Sequence, residues 1–238
     1  MELKNIPIAI QNETDNWGFI LFFVCFFIIV SIISNRNRLL PSMFSDLFRS
    51  NKDRHYVFYE AITNETVNKF FLSFQTILLL SIIIYCYAVH EHLLSVTTPT
   101  QMLVFLGKCS ILLTAFFLYK FLAYSAAGAI FFKKEIVLQW NNDYFSIIGL
   151  NGIFLFFPTL ILFYVETAYA FFIYFMIAYL IFNLLFIFYK IYILFFHRKE
   201  HLLYFILYLC TQEIIPLYLV YRGFVYLIAQ KDTIWMQV

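Results

Sequence analysis

Charged residues are scarce in this chain. Of its 238 residues, 13% are Asp, Glu, Lys or Arg, which is about half the share usual in soluble domains. Because so few charges cannot cover the water-facing surface of an ordinary soluble domain, that class is excluded. The basic residues are dispersed, the formal net charge is +2, and no basic stripe marks a nucleic-acid partner. We therefore expect the chain to bind no nucleic acid.

The common motifs of catalysis and metal binding are also missing. The sequence contains no HExxH, GxSxG or Walker A pattern, which are the usual signatures of zinc proteases, hydrolases and nucleotide-binding proteins. The four cysteines lack CxxC spacing and lie in or beside apolar stretches, where a thiol behaves as a small apolar side chain. His90 and His92 do not share a helix face, so they indicate a solvated turn. We expect no catalytic residue, no cofactor and no metal.

Apolar sequence is what the chain has in abundance. Hydrophobic residues make up 63% of it, including 32 Phe and 18 Tyr. A transmembrane helix needs about 20 apolar residues, and a chain of this length can hold about six of them but no large soluble domain as well. We predict an all-α, polytopic membrane helix bundle that forms one integral membrane domain. The predicted spans are 17–34, 70–89, 102–121, 144–163, 168–190 and 202–221.

Lys and Arg residues set the predicted orientation of these spans. Most of the 16 fall between spans one and two, three and four, or five and six, above all in the loop 35–69. Because cytoplasmic loops carry such an excess, we place this loop in the cytoplasm and both termini outside, with Arg222 as the main exception. Within the loop, segment 41–48 predicts a short helix lying on the inner leaflet. The alternative is five spans, with 17–34 acting as a signal that is removed.

The third span carries two lysines and has an uncertain end. Lys108 and Lys120 lie within it, and the apolar pattern runs on to Phe132. A continuous helix of this length would be roughly 46 Å long, which exceeds the hydrocarbon layer. Either the helix tilts and projects, or it breaks near Ser125. The favoured interpretation of Lys120 is that it extends its amine towards the inner membrane surface.

The other central spans differ in polarity. The second span is read as nearly pure apolar, and Asn183 is the polar point of the fifth. The fourth is interrupted by Gly149, Asn151, Gly152 and Pro158, which membrane helices tolerate where neighbouring helices satisfy the backbone. Two glycines at i, i+3 predict a close approach of another helix to the fourth span.

The sixth span contains the chain's most unusual pair, Glu213 and Pro216. A carboxylate at membrane depth costs several kcal/mol unless it is protonated, paired or wetted. The proline removes a hydrogen bond to the carbonyl of Gln212, which predicts a kink and a free backbone oxygen beside the acid. Cys210 lies one turn before Glu213 and shares its face.

The segment 205–221, FILYLCTQEIIPLYLVY, resembles the closing signature of an uncharacterised family of Bacteroidota inner-membrane proteins, the domain of unknown function 4271. On that resemblance, five residues correspond to family motif positions: Tyr208, Cys210, Thr211, Glu213 and Pro216. Gln212 departs from the apolar residue that is commoner there. The resemblance implies a multi-pass protein of the bacterial inner membrane and implies no activity.

Several roles for Glu213 stay open. It can be an interior polar group that fixes helix packing. In a non-enzymatic accessory subunit of a larger envelope complex, such as a protein-export apparatus, it can pair with Lys108 or Lys120 as an internal clamp. In a small ion- or proton-coupled carrier it would receive a cation or proton. A membrane-embedded enzyme ranks last, because no nucleophile accompanies the acid. We expect membrane lipids and other inner-membrane proteins as partners.

Overall fold

The chain folds into helices throughout the part that its computed structural model describes, which comprises residues 8–35, 43, 62–94, 98–131, 134–165, 169–195 and 202–229. These residues contain no β-strand, so the predicted all-α class is confirmed. The helices are α1 (Ile8–Asn35), α2 (Ile62–His90), α3 (Pro99–Phe131), α4 (Lys134–Tyr164), α5 (Tyr169–Phe195) and α6 (Leu202–Ala229).

Five of these helices are long and apolar enough to cross a membrane, which makes the chain a multi-pass membrane protein. The candidate spans are Asp15–Ile32, Val67–His90, Pro99–Ala126, Trp140–Tyr164 and Tyr169–Tyr189. In α6 the apolar segment found among the described side chains is Ile215–Ile228, and the helix itself has 28 residues. Each of the six predicted spans therefore falls on one helix, and most of the loop 35–69 lies outside the described residues.

The third span is one unbroken helix. α3 contains 33 residues from Pro99 to Phe131, which corresponds to roughly 50 Å at 1.5 Å per residue. Of the two expectations for this region, the break near Ser125 is wrong and the continuous helix is confirmed. Apolar residues persist past the bilayer's thickness here, and the helix continues through Gly107 and Gly128 without a break.

A parallel pair, α2 and α4, forms the centre of the bundle. Gly149 and Gly152 let the two helices approach closely: a Cβ on Gly152 would lie 2.6 Å from Thr76 Oγ1 and 2.9 Å from the carbonyl oxygen of Leu72. The close approach predicted from these glycines is confirmed. α3 runs antiparallel to both helices. Ser81 and Tyr85 of α2 contact Ser110 and Phe105 in turn, and Trp140 and Tyr144 of α4 contact Tyr124 and Phe117.

One end of the bundle is called the basic end, after the Lys and Arg residues of its adjoining loops. It contains the end of α1, the start of α2, the end of α3 and the start of α4. Met43, from the loop at this end, is fully buried among Ile32, Leu72 and Leu150. The predicted leaflet helix 41–48 otherwise lies outside the described residues, but at Met43 the loop packs into the protein instead of lying on the bilayer.

α1 belongs to the packed bundle. Gly18 lies directly under the ring of Phe163 in α4, and Phe22 and Cys25 are buried in the main core. Phe22 also packs edge-on against Phe156, with the ring centroids 6.2 Å apart. The aromatic side chains of α1 thus pack against those of α4.

α5 and α6 lie at the edges of the bundle. α6 packs mainly on α3 and α5 mainly on α4, and Phe186 of α5 also packs against the central cluster that contains Leu72 and Leu150. The sequence directs attention to the sixth span, because its chemistry is unusual. The structure places the packing centre elsewhere, on small and polar residues of α2 and α4 that an average hydropathy does not reveal.

Candidate functional site

Buried polar residues run along the sides of α2 that face α4 and α3. Lys69, Ser73, Gln75, Thr76 and Ser81 are all buried, with exposures between 0% and 7%. The interpretation of this span as nearly pure apolar is therefore wrong. In lipid these groups would have no partners, so their position between helices follows from the need to satisfy them inside the protein.

Near the basic end, α2 and α4 share a polar cluster, defined here as Lys69, Ser73, Asn142, Asp143 and Ser146. The Lys69 ammonium, 2% exposed, donates a hydrogen bond of 2.7 Å to Asn142 Oδ1. Ser73 donates to the carbonyl of Lys69 at 2.8 Å, and Ser146 to that of Asn142 at 3.0 Å. Asp143 is 1% exposed. Buried charges persist only where they are paired and hydrogen-bonded, so this cluster ties the two helices together at a fixed register.

Lys120 lies inside the protein at the same end. It is 7% exposed, and its Nζ lies 5.0 Å from the centroid of the Phe116 ring. The neighbouring turn of α3 contacts the start of α4, since Tyr144 donates to the carbonyl of Phe117 at 3.3 Å. Lys120 is thus packed among protein atoms beside aromatic residues of α3. The expectation that its amine extends towards the inner membrane surface stays a prediction.

Gln75 carries an unsatisfied acceptor further into the bundle. Its Nε2 donates to the carbonyl of Gly152 at 3.3 Å, while its Oε1 has no hydrogen-bond partner among the described residues. Beside it, the Thr76 hydroxyl lies 2.6 Å from the carbonyl of Ile148 and 3.0 Å from that of Leu72. A buried acceptor without a donor costs about 1–3 kcal/mol. A proton donor placed beside Gln75 Oε1 would satisfy this acceptor.

The residues singled out in the sixth span lie in the regular helix α6. The side chains of Tyr208, Cys210, Thr211, Gln212 and Glu213 lie outside the described part of the structure, whereas their backbone is helical. Pro216 is buried, and the helix continues through it. Pro216, Gly223 and Leu227 define the α6 face that meets the bundle.

The register between α3 and α6 shows which of Lys108 and Lys120 lies near the level of Glu213. A Cβ on Gly223 would lie 3.0 Å from both methyl carbons of Leu112, so these residues face each other in an antiparallel pair. Glu213 lies ten residues before Gly223 in α6, and Leu122 lies ten residues after Leu112 in α3. In an antiparallel pair these two positions are therefore level. By helix rise, Lys120 is then roughly 3 Å from that level and Lys108 roughly 20 Å away.

The remaining predicted site residues do not converge on one place. Lys108 and Asn151 are half-buried on different helices. Asn183 donates to the carbonyl of Tyr179, one turn back on its own helix, at 3.1 Å. Within the described residues no group of three or more His, Cys, Asp or Glu side chains is placed to hold a metal ion.

Sequence reasoning missed Lys69, Gln75 and Asp143 as interior residues. Lys69 and Asp143 precede the predicted spans and look like loop residues. A usable signal existed in α2, because Lys69, Ser73 and Thr76 repeat at i, i+4 and i+7 and so line one face.

Comparison with known proteins gives one match. The family model described as Domain of unknown function (DUF4271) matches residues 18–224. It therefore spans all six helices, the polar cluster and the segment from Tyr208 to Pro216. No curated protein and no solved structure matches the chain.

Proposed function

Because this chain belongs to the DUF4271 family, whose function is undefined, we propose its role from its architecture: it is a non-enzymatic integral membrane accessory subunit of a larger membrane complex. In this proposal the α2–α4 pair is the rigid centre, and the edge helices α5 and α6 carry the contacts to partner proteins. The resemblance read from the last span, now confirmed as family membership, leaves the activity open.

The observation that carries the proposal is the exposure of α5. Of its span Tyr169–Tyr189, Phe172 is the one buried residue. The exposed residues include large aromatics, with Phe171 at 69% and Tyr174 at 74%. Aromatic residues are enriched where membrane proteins and interfaces bury surface, because they contribute large contact area at low entropic cost. A helix this exposed and covered with such side chains is suited to a further protein neighbour.

The buried polar residues support a packing role in the same picture. Lys69 and Asn142 join α2 to α4, and Ser81 shares a hydrogen bond of 3.0 Å with Ser110 of α3. Such interhelical hydrogen bonds fix the arrangement of transmembrane helices. A centre held in this way would keep its shape while α5 and α6 engage a partner.

The cellular setting is part of the proposal. We place the protein in the inner membrane of a bacterium of the Bacteroidota, with both termini outside. We take an envelope complex such as a protein-export apparatus as the setting. The basic loop 35–69 and the family resemblance support this placement.

Purification in mild detergent tests the subunit role. The full chain, tagged and expressed at native level, should co-purify with other membrane proteins in stoichiometric amount. Tyr174→Ala, on the most exposed part of α5, should weaken this association. Ile111→Ala, at 72% exposure on α3, is the matched control and should leave it unchanged. A chain that runs alone as a monomer would contradict the proposal.

A second candidate is the ion- or proton-coupled carrier, and the unpartnered Oε1 of Gln75 favours it. Gln75 lies in the same α2–α4 interface as the polar cluster. If this role is correct, Gln75→Leu should abolish uptake of a cation or proton into vesicles while the protein still folds. Vesicles with the native chain that show no flux above empty vesicles would exclude the carrier and leave the subunit proposal intact.

A further inference from the structure

An apolar crevice lies between α1, α2 and α3 and has a volume of about 260 Å³. Its floor is formed by Cys25, Ile82 and Leu106, with exposures of 1%, 2% and 5%. Phe74 and Gly107, both exposed, mark its mouth. Protein interiors are close-packed, so an open gap of this size between three helices offers room for an occupant.

Water is a poor occupant for this crevice. The one hydroxyl in its lining belongs to Ser110 and already shares a hydrogen bond with Ser81 at 3.0 Å. A water molecule needs two to four polar partners, and apolar cavities stay dry without them. The occupant must therefore be apolar.

The position of the crevice within the membrane spans narrows the choice of occupant. Its lining residues all lie inside the candidate spans Asp15–Ile32, Val67–His90 and Pro99–Ala126. The mouth is continuous with the exposed apolar strip of α3, where Val104 and Ile111 are 43% and 72% exposed. In a multi-pass membrane protein this strip faces the hydrocarbon layer, so lipid chains pass directly across the opening.

Gly107 gives an independent indication. A Cβ at Gly107 would meet nothing within 4 Å, whereas Gly18, Gly149, Gly152 and Gly223 each lie against protein atoms. A glycine within a helix costs about 1 kcal/mol relative to alanine. No protein neighbour in the described structure explains that cost at Gly107, but free passage for a non-protein chain does.

We propose that this crevice binds one acyl chain of a membrane phospholipid, which enters past Gly107 and lies along Leu106 and Ile82. The site does not depend on the subunit role proposed above. The shape of the crevice selects one chain, and the headgroup stays at the membrane surface.

Photolabelling in vesicles tests the site. The full chain is reconstituted in phosphatidylethanolamine and phosphatidylglycerol with a trace of phospholipid that carries a diazirine at mid-chain. After irradiation, adducts are located by peptide mass spectrometry. We expect adducts concentrated on Leu103–Ser110 and Leu21–Cys25. Gly107→Phe, which fills the mouth, should reduce them about tenfold, the change that corresponds to about 1.4 kcal/mol of binding.

Leu118→Phe is the matched control, because it adds bulk on the exposed side of the same helix at 55% exposure. It should leave the crevice adducts unchanged. Gly107→Leu is a smaller second variant if Gly107→Phe does not yield a folded protein. Adducts spread in proportion to surface exposure, or unchanged in both Gly107 variants, would overturn the proposal. Recovery of a quinone or a partner helix from the crevice would do the same.

Discussion

Glycines in this protein have different roles according to what occupies the space that a Cβ atom would fill. At Gly152 the backbone of α2 occupies the space that a Cβ would need, with the carbonyl of Leu72 at 2.9 Å. At Gly107 the same space is open. The first glycine serves helix packing, and the second leaves a path for lipid.

Gly152→Ala should therefore destabilise the fold, whereas Gly107→Ala should not. The added methyl group must move Thr76 or push α2 away from α4, and overpacking of this kind costs about 1–3 kcal/mol. At Gly107 alanine should be neutral or slightly stabilising, since it favours the helix. Thermal unfolding of the two variants in the same detergent measures the difference. Equal midpoints would contradict the packing role of Gly152.

The Lys69–Asn142 hydrogen bond supplies a second test at the residue scale. Lys69→Met keeps the length of the side chain but removes the donor, and leaves the Asn142 oxygen without this bond. We expect a loss of about 1–3 kcal/mol, the cost of an unsatisfied buried acceptor. Adding Asn142→Leu to this variant should recover part of the lost free energy of unfolding. Thermal unfolding measures both, and a double variant that is simply additive would show that the two residues are not coupled.

At the scale of elements, the sequence predicts where each helix lies better than it predicts which helices pack together. Runs such as 70–89 and 168–190 are apolar enough to identify each span. Leucine, isoleucine and phenylalanine cover all sides of α3 and α5, so no stripe shows which face meets protein and which meets lipid. The α2–α4 contact could be anticipated in part, because Gly149 and Gly152 permit close approach. Its partner face, with Ser73 and Thr76, shows in the sequence only as a short repeat of polar residues among more numerous apolar neighbours.

The pairing of α6 with α3 leads to a prediction about Glu213. The register places it at the level of Lys120, so we expect a charge pair between these two residues. Glu213→Lys or Lys120→Glu alone should lower the amount of folded protein in the membrane several-fold. The exchange Glu213→Lys with Lys120→Glu should restore it. Combining Glu213→Lys with Lys108→Glu should not, because Lys108 lies roughly 20 Å along the helix. Rescue by Lys108→Glu instead would show that the register is different.

At the scale of the whole molecule, the buried polar groups lie in the middle of the bundle and the apolar surface covers its edges. The expected topology can be tested on this framework. His92 lies in an exposed turn after α2, and Asn35 ends α1 at the basic end. With both termini outside, His92→Cys should react with a membrane-impermeant maleimide in intact cells. Asn35→Cys should react only after permeabilisation. The reverse pattern would invert the orientation.

The unbroken length of α3 has a consequence for how the protein responds to its membrane. A helix of roughly 50 Å cannot stand upright within a hydrocarbon layer of about 30 Å. We expect its apolar stretch to lean, and the lean to grow as the bilayer thins. Because α3 forms one wall of the acyl-chain crevice and carries α6 on another side, a change in lipid thickness would alter the crevice width and the position of α6 together.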